Sequence, residues 1–410
     1  MKILSFLIAI AMIALCFAGC SGNEAAATTA GTTEPTGLTA EEQATLLARR
    51  DTAESYMRAM ATVLWRAGEN VDYYKGTGDL HIVAGRLYRG VPYSYAAGSP
   101  DAFYGFSTSE ENGVMQISGL TTDLMGRNDD TIRRVGNDCS ATVELSWAQV
   151  SSTITAASTK YMIPDNGFLR VGDYKSSDTE TTNSKGTCDE NGPVVMYEAY
   201  AQLQKADAIL RRTDSYGHVM MITSVHVERN AKGNVDGNTS YVTVLHQTNG
   251  YMEEEAKEFD ETLGEDVYQI FGIDEKFSFF DLFKQGYMPI TCLELVDPSA
   301  PVVEAQVTDS LSSATIDDLY NGTFTANYFF STVDVTIKNA NGEALQTVRA
   351  FANRGDIYVF QLSEFVENPT RTVGGLDISK LAPGTYTCTY DVALVNGYST
   401  TVRQIEFTVE

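Results

Sequence analysis

Gly136-Asn137-Asp138-Cys139-Ser140-Ala141 stands immediately before an apolar stretch, and Gly217-His218-Val219-Met220-Met221-Ile222 follows about eighty residues later. The first segment reads as the start of a helix, because the apolar stretch Ala141 to Val150, with Trp147, reads as a modest helix. The second reads as the start of a strand. A thiol at a helix N-terminus sits in the positive end of the helix dipole. That field and a nearby imidazole lower a thiol pKa from ~8.5 into the range of ~3.5–7.5, so that thiolate forms near neutral pH. The two segments together predict a reactive cysteine, Cys139, served by His218.

The segments around this pair predict a small antiparallel sheet. Residues 172–192 are polar and read as a loop containing Cys188, and Tyr197 to Lys205 reads as a short helix. Ala208-Ile209-Leu210-Arg211 is a strand that enters the turn Thr213-Asp214-Ser215-Tyr216-Gly217. His218 to Glu228 and Ser240 to His246 are strands joined as a hairpin through 232–238, which is rich in Gly, Asn and Asp. A catalytic imidazole needs a third polar group to orient it. His226 lies eight residues along the same strand, ~26 Å away at ~3.3 Å per residue, and reads as an ordinary strand-face histidine. The partner strand brings residues 246–251 near His218 instead. His246, Gln247 and Asn249 are the candidates, since register parity across a long turn leaves the choice open.

Toward the N-terminus, Thr39 and Glu42 form a capping box for a long helix. Its apolar residues Leu46, Leu47, Ala53, Met57, Met60, Ala61, Leu64 and Trp65 carry it to about Ala67. Residues 89–98 read as a turn and short extended segment containing Tyr93. Residues 98–136 read as a long insertion of polar and Gly-rich chain, of the kind that often serves as a functional loop. Pro298 and Pro301 bracket a linker. After it, alternating segments such as Val333-Asp334-Val335-Thr336-Ile337 and Thr385-Tyr386-Thr387-Cys388-Thr389-Tyr390, separated by turns, predict an immunoglobulin-like β-sandwich over 301–410.

The first residues predict export. Lys2 precedes a nearly continuous apolar run from Ile3 to Phe17, which ends at Ala18-Gly19-Cys20. The junction resembles a bacterial lipobox, with Cys20 as the lipidated first mature residue. Residues 1–20 are then a lipoprotein signal peptide, and 21–37, which lack large apolar groups, are a flexible tether. The expected location is the outer face of a bacterial cell membrane, held by a lipid rather than a spanning helix. With 29 Lys and Arg against 54 Asp and Glu, the formal charge of −25 argues against nucleic acid as a partner. Cys139, Cys188, Cys292 and Cys388 show neither CxxC spacing nor a His cluster, so no metal or other cofactor is expected, and no disulfide pairing follows.

Taken together, Pro92-Tyr93-Ser94-Tyr95, Asn137-Asp138-Cys139-Ser140 and Ala206-Asp207-Ala208-Ile209-Leu210 with Gly217-His218-Val219 resemble the NlpC-type family of bacterial cell-wall cysteine peptidases. The resemblance covers roughly residues 55–295. Members usually carry Gly where Ala141 stands, and their tyrosine motif lies close before the cysteine, whereas here Tyr93 is far upstream. The resemblance implies an α+β fold: a papain-like catalytic domain over 38–297, with helices packed on a small antiparallel sheet. It implies Cys139 as nucleophile, His218 as its proton partner, His246 as the third member and Tyr93 as a donor to the oxyanion. The implied substrate is an amide of peptidoglycan stem peptides. The alternatives are a non-catalytic surface-binding or adhesion lipoprotein, and an amidase or acyl transferase that uses the same pair.

Overall fold

The computed structural model describes residues 37–74, 79–94, 100–121, 135–154, 158–163, 167–177, 180, 182–248, 257–301, 303–311, 320–352, 358–366 and 372–410. The expected signal peptide, lipidated Cys20 and nearly all of the tether lie outside them, as does Asn249.

The α+β expectation, a papain-like domain of helices on one small sheet followed by an immunoglobulin-like sandwich, is corrected by the structure. The described residues form twenty-two strands in five sheets, and helices are the minority. The reason lies in segments that carry no local strand signature. Leu64–Ala67, which continues the apolar spacing of the first helix, is a strand. The capped helix itself runs from Ala40 to Thr62 and has the expected Thr39–Glu42 box. The 98–136 insertion contributes strands Ser107–Glu111 and Val114–Ile117. These join Leu64–Ala67, Leu87–Arg89, Glu265–Gln269 and Lys257–Asp260 in a six-stranded mixed sheet. Its Leu64–Ala67 strand pairs parallel with Val114–Ile117, and such a pairing leaves no hairpin signal in the sequence.

Residues 172–192 are corrected too. A helix from Ser184 to Tyr200 occupies their second half and buries Cys188. Polar composition makes 172–192 read as loop, although the helix takes in Gly192 and Pro193. The structure absorbs them with a kink at Gly192, after which Pro193 starts the second helical segment, where its missing N–H costs nothing.

The second six-stranded sheet carries the candidate site. Its order is Gly272–Ser278, Tyr241–His246, Gly217–His226, Ala208–Arg212, Met288–Cys292 and Phe168–Arg170, and every neighbouring pair is antiparallel. Helix Cys139–Trp147 packs on the Gly217–His226 strand and on helix Ala40–Thr62. One apolar cluster, with Met57, Trp65, Trp147, Ile209, Met221 and Phe279 fully buried, joins these elements. A buried ion pair ties the long helix to the sheet: Arg50 lies 2.8 Å from Asp207 and also donates to the Lys205 and Leu295 carbonyls. Removing one partner of such a pair leaves a buried charge and costs about 3–5 kcal/mol.

Residues 303–410 build a three-stranded and a five-stranded sheet around a second apolar core containing Phe324, Val335, Phe360 and Tyr390. Phe329 and Val395 belong to the first core instead, and Ser331 donates to Asp101, so the C-terminal residues pack directly against the rest.

Candidate active site

Cys139 is the first residue of its helix. Asp138 caps it: the carboxylate accepts from the Ala141 backbone N–H at 2.8 Å and from the Ser140 hydroxyl at 3.0 Å. Asp138 is thus committed to the helix start, and the Cys139 backbone N–H is among the first-turn donors that the helix itself leaves without a carbonyl. Cys139 Sγ lies 4.0 Å from the Gly217 carbonyl oxygen, so helix start and strand start meet at the thiol.

Tyr93 reaches the same place despite its distance in sequence. It forms a parallel bridge with Asn137, with Asn137 N–H donating to the Pro92 carbonyl at 3.1 Å and Ser94 N–H donating to the Asn137 carbonyl at 3.0 Å. Gly136 makes this approach possible. Its φ is +89°, and a Cβ there would stand 2.4 Å from the Pro92 oxygen. The spacing that departs from the family pattern is therefore bridged by backbone pairing beside the cysteine.

His218 is buried, as is His246 at the end of the neighbouring strand. His218 Nε2 lies 2.9 Å from His246 Nδ1, with the rings at 71°. His246 Nε2 lies 2.7 Å from Glu275 Oε2. Hydrogen-bond roles follow from the end of this chain. A carboxylate only accepts, so His246 Nε2 carries a proton. With that proton at Nε2, His246 Nδ1 accepts from His218 Nε2–H, which leaves His218 Nδ1 as an acceptor. Gln247 serves elsewhere: its Nε2 donates to the Val91 carbonyl at 2.7 Å. His226 stacks on Tyr241 at 4.8 Å and pairs with Glu228. Glu275 was missed by sequence reasoning, because its strand lies one further across the sheet and pairs through a bulge.

A cleft of about 230 Å³ opens over these groups, lined among others by Tyr93, Cys139, Arg212, Tyr216, His218 and Thr248. Arg212 gives one wall a cation; burial lowers its pKa from the ordinary arginine value, and the neighbouring Cys139 and Asp214 oppose that shift. Cys188 and Cys388 are different: burial pushes their thiols up to about 12 and about 11. Burial also drives Cys292 upward. Among the described residues, none of the four cysteines is in a disulfide. Among the described residues, no group of three or more His, Cys, Asp or Glu side chains could hold a metal ion.

Burial holds the His218 pKa well below its ordinary value of 6.5, and a positive charge on the neighbouring His246, when it is protonated, and the Arg211 charge push the same way. Because the folded value is the lower one, the unfolded chain binds more protons between the two. The stability contributed by neutral His218 is complete above ~6.5 and is lost as pH falls toward the folded value. Replacing His218 with Ala is therefore expected to flatten the fall of Tm between about pH 7 and about pH 5, as read by thermal unfolding. Parallel slopes for both proteins would contradict this.

No protein-family model matches the chain, and no curated protein does. Among solved structures, one match is the crystal structure of a tetra-tandem repeat in the extending region of a large adhesion protein. It is 13% identical with a TM-score of 0.20, and the match covers 50% of this chain and 41% of that one. This chain thus spans less than half the length of that structure, and so low a score carries no argument about fold or function.

Proposed function

We propose that the protein is an exported cysteine hydrolase that opens an amide bond in peptidoglycan stem peptides, with Cys139 as nucleophile and His218 as proton carrier. The observation that carries this reading is the shared cleft: Cys139 at a helix start, His218 held from behind by His246, and Tyr93 at the rim. The sequence resemblance supplies the substrate class. Arg212 suits it, since a guanidinium in the wall of an otherwise acidic protein favours a substrate with a carboxylate near the scissile bond. A lipid at Cys20 would hold the enzyme at the membrane surface. Among the described residues no helix is long and apolar enough to cross a membrane.

Because burial keeps His218 neutral at rest, the proton moves during attack rather than before it. Cys139 Sγ bonds to the amide carbon while its proton passes to His218 Nδ1. The oxyanion is met by the Cys139 backbone N–H and the Tyr93 hydroxyl. Collapse breaks the C–N bond, and His218 gives its proton to the departing amine, leaving a thioester. Water then attacks the thioester as His218 takes its proton, and the thiol and a carboxylic acid are released.

Alkylation with iodoacetamide at about pH 6 tests the pair without any substrate. Cys139 is expected to react selectively, because burial disfavours the thiolates of the other three described cysteines. His218→Ala is expected to slow the reaction about tenfold or more. Slow labelling that ignores His218 would overturn the reading.

A further inference from the structure

The strand Gly272–Ser278 is built irregularly where it faces the histidines. It pairs with the His246 strand in simple register from Tyr241 opposite Ser278 to Val244 opposite Glu275. The next pair is His246 opposite Gly272, so one extra residue has been accommodated on the Gly272–Ser278 strand. Asp274, inside this bulge, has a φ of +51°, a conformation that non-glycine residues adopt at a cost. Arg58, from helix Ala40–Thr62, clamps it through two hydrogen bonds of 2.9 Å to the two carboxylate oxygens. Arg58 is itself held by Glu54 at 2.6 Å.

The bulge has two consequences for His246. It places Gly272 opposite the imidazole, and the ring lies where a side chain would begin: a Cβ at 272 would stand 2.2 Å from Cδ2 and 2.3 Å from Nε2. It also leaves Glu275 in reach of that same Nε2, at 2.7 Å. Backbone strain, a forced glycine and a helix-to-strand clamp therefore converge on the orientation of one ring. His246 is not among the residues that line the cleft; it reaches the site through its bond to His218, which is among them.

We propose that Glu275 is a positioning residue for the Cys139–His218 pair, acting through His246, and that Gly272 and the Arg58-clamped bulge at Asp274 hold it in place. The inference rests on the cysteine-hydrolase reading. Glu275 fixes the His246 proton at Nε2 and so directs the His218 acceptor nitrogen away from His246. When His218 takes the thiol proton, the carboxylate favours the resulting cation through the intervening imidazole. The other charged groups in this neighbourhood are Arg211 across from His218, Arg212 in the cleft wall, and the Arg58, Glu54 and Asp274 cluster behind His246.

The test is the rate of Cys139 alkylation by iodoacetamide from about pH 5 to about pH 9, on the full mature chain, with Tm measured in parallel. Glu275→Gln is expected to lower the plateau about tenfold and to move the acid limb to lower pH, because the imidazolium loses its carboxylate while the Tm is kept. Gly272→Ala is expected to give the same loss by displacing the ring. A wild-type profile for Glu275→Gln, in a protein where His218→Ala flattens the profile, overturns the inference and leaves the Cys139–His218 pair standing. A lowered Tm with an unmoved acid limb also overturns it, assigning Glu275 a structural role. A profile that His218→Ala leaves unchanged overturns the hydrolase reading itself. Should Gly272→Ala fail to fold, Glu275→Gln decides alone.

Discussion

Replacing Cys139 with Ala is expected to abolish cleavage of muropeptides, a loss on the order of 10⁴-fold or more in kcat, since Cys139 is the one thiol among the described residues lining the cleft. The fold should barely notice. Cys139 occupies the first position of its helix, and the cap comes from Asp138 through the Ala141 backbone and the Ser140 hydroxyl, none of which the substitution touches. The stability change is therefore expected to stay within about 1 kcal/mol. Substrate binding should also survive, because the cleft wall formed by Arg212, Tyr216 and Thr248 is unchanged. Binding measured by calorimetry alongside turnover separates the two effects. Full activity in this variant would end the assignment of Cys139 as nucleophile.

Replacing His218 with Ala is expected to cost about 10²–10⁴-fold in kcat/KM, the usual weight of a positioned acid–base group. The loss should depend on pH in a definite direction. Neutral His218 accepts the thiol proton, and its pKa is held below 6.5 by burial, so wild-type activity persists into mildly acidic solution. Without His218 only spontaneous ionisation of the thiol remains, so the residual rate should rise with pH, and the deficit should be greatest at the acid end. His246 cannot substitute. It is bonded to Glu275 on its far side, and removing the His218 ring leaves a gap between His246 and the thiol. A deficit that is constant across pH would contradict the acid–base role.

Much of the candidate site was legible because its signals are local. The helix start at Cys139 follows from the apolar stretch behind it, and the structure adds the Asp138 cap. The hairpin from Gly217–His226 to Tyr241–His246 follows from alternation and a turn-rich joint. Folding it about its turn was enough to bring His246 beside His218, although the register slips by one residue between Thr243 and Val244. Glu275 was not legible, because its approach depends on a bulge in a strand that is hydrogen-bonded two strands away from His218. Gly272 is the one local hint, and its reason appears only once the imidazole is seen to occupy the position of its missing side chain.

The fold was less legible than the site. The first helix stops at Thr62 with neither a glycine nor a proline to announce the end, and Leu64 and Trp65 keep the helical spacing while belonging to a strand. Trp65 donates its indole N–H to the Gly90 carbonyl and stacks on Tyr88 at 4.7 Å. That tertiary environment decides the strand, and no window of local sequence contains it. The mixed sheet around it is assembled from pieces of three to five residues, and the pairings that join its two hairpins to Leu64–Ala67 and Leu87–Arg89 are with partners far off in the chain. Such pieces are too short to show a period, so a chain made largely of strands read as one with longer helices and loops. The helix Ser184–Tyr200 was hidden in the opposite sense, since its first half is polar and its helical run is interrupted by the kink at Gly192.

The central claim, hydrolysis of a stem-peptide amide through Cys139, is tested most directly by mass spectrometry of purified peptidoglycan digested by the soluble mature protein in heavy-oxygen water. The account predicts new fragments in pairs, one with a free amine and one with a carboxyl group carrying heavy oxygen, and no such fragments from the Cys139→Ala protein. Fragments formed without heavy oxygen, fragments formed equally well by the Cys139→Ala protein, or peptidoglycan left intact by a protein whose Cys139 alkylates normally would contradict it.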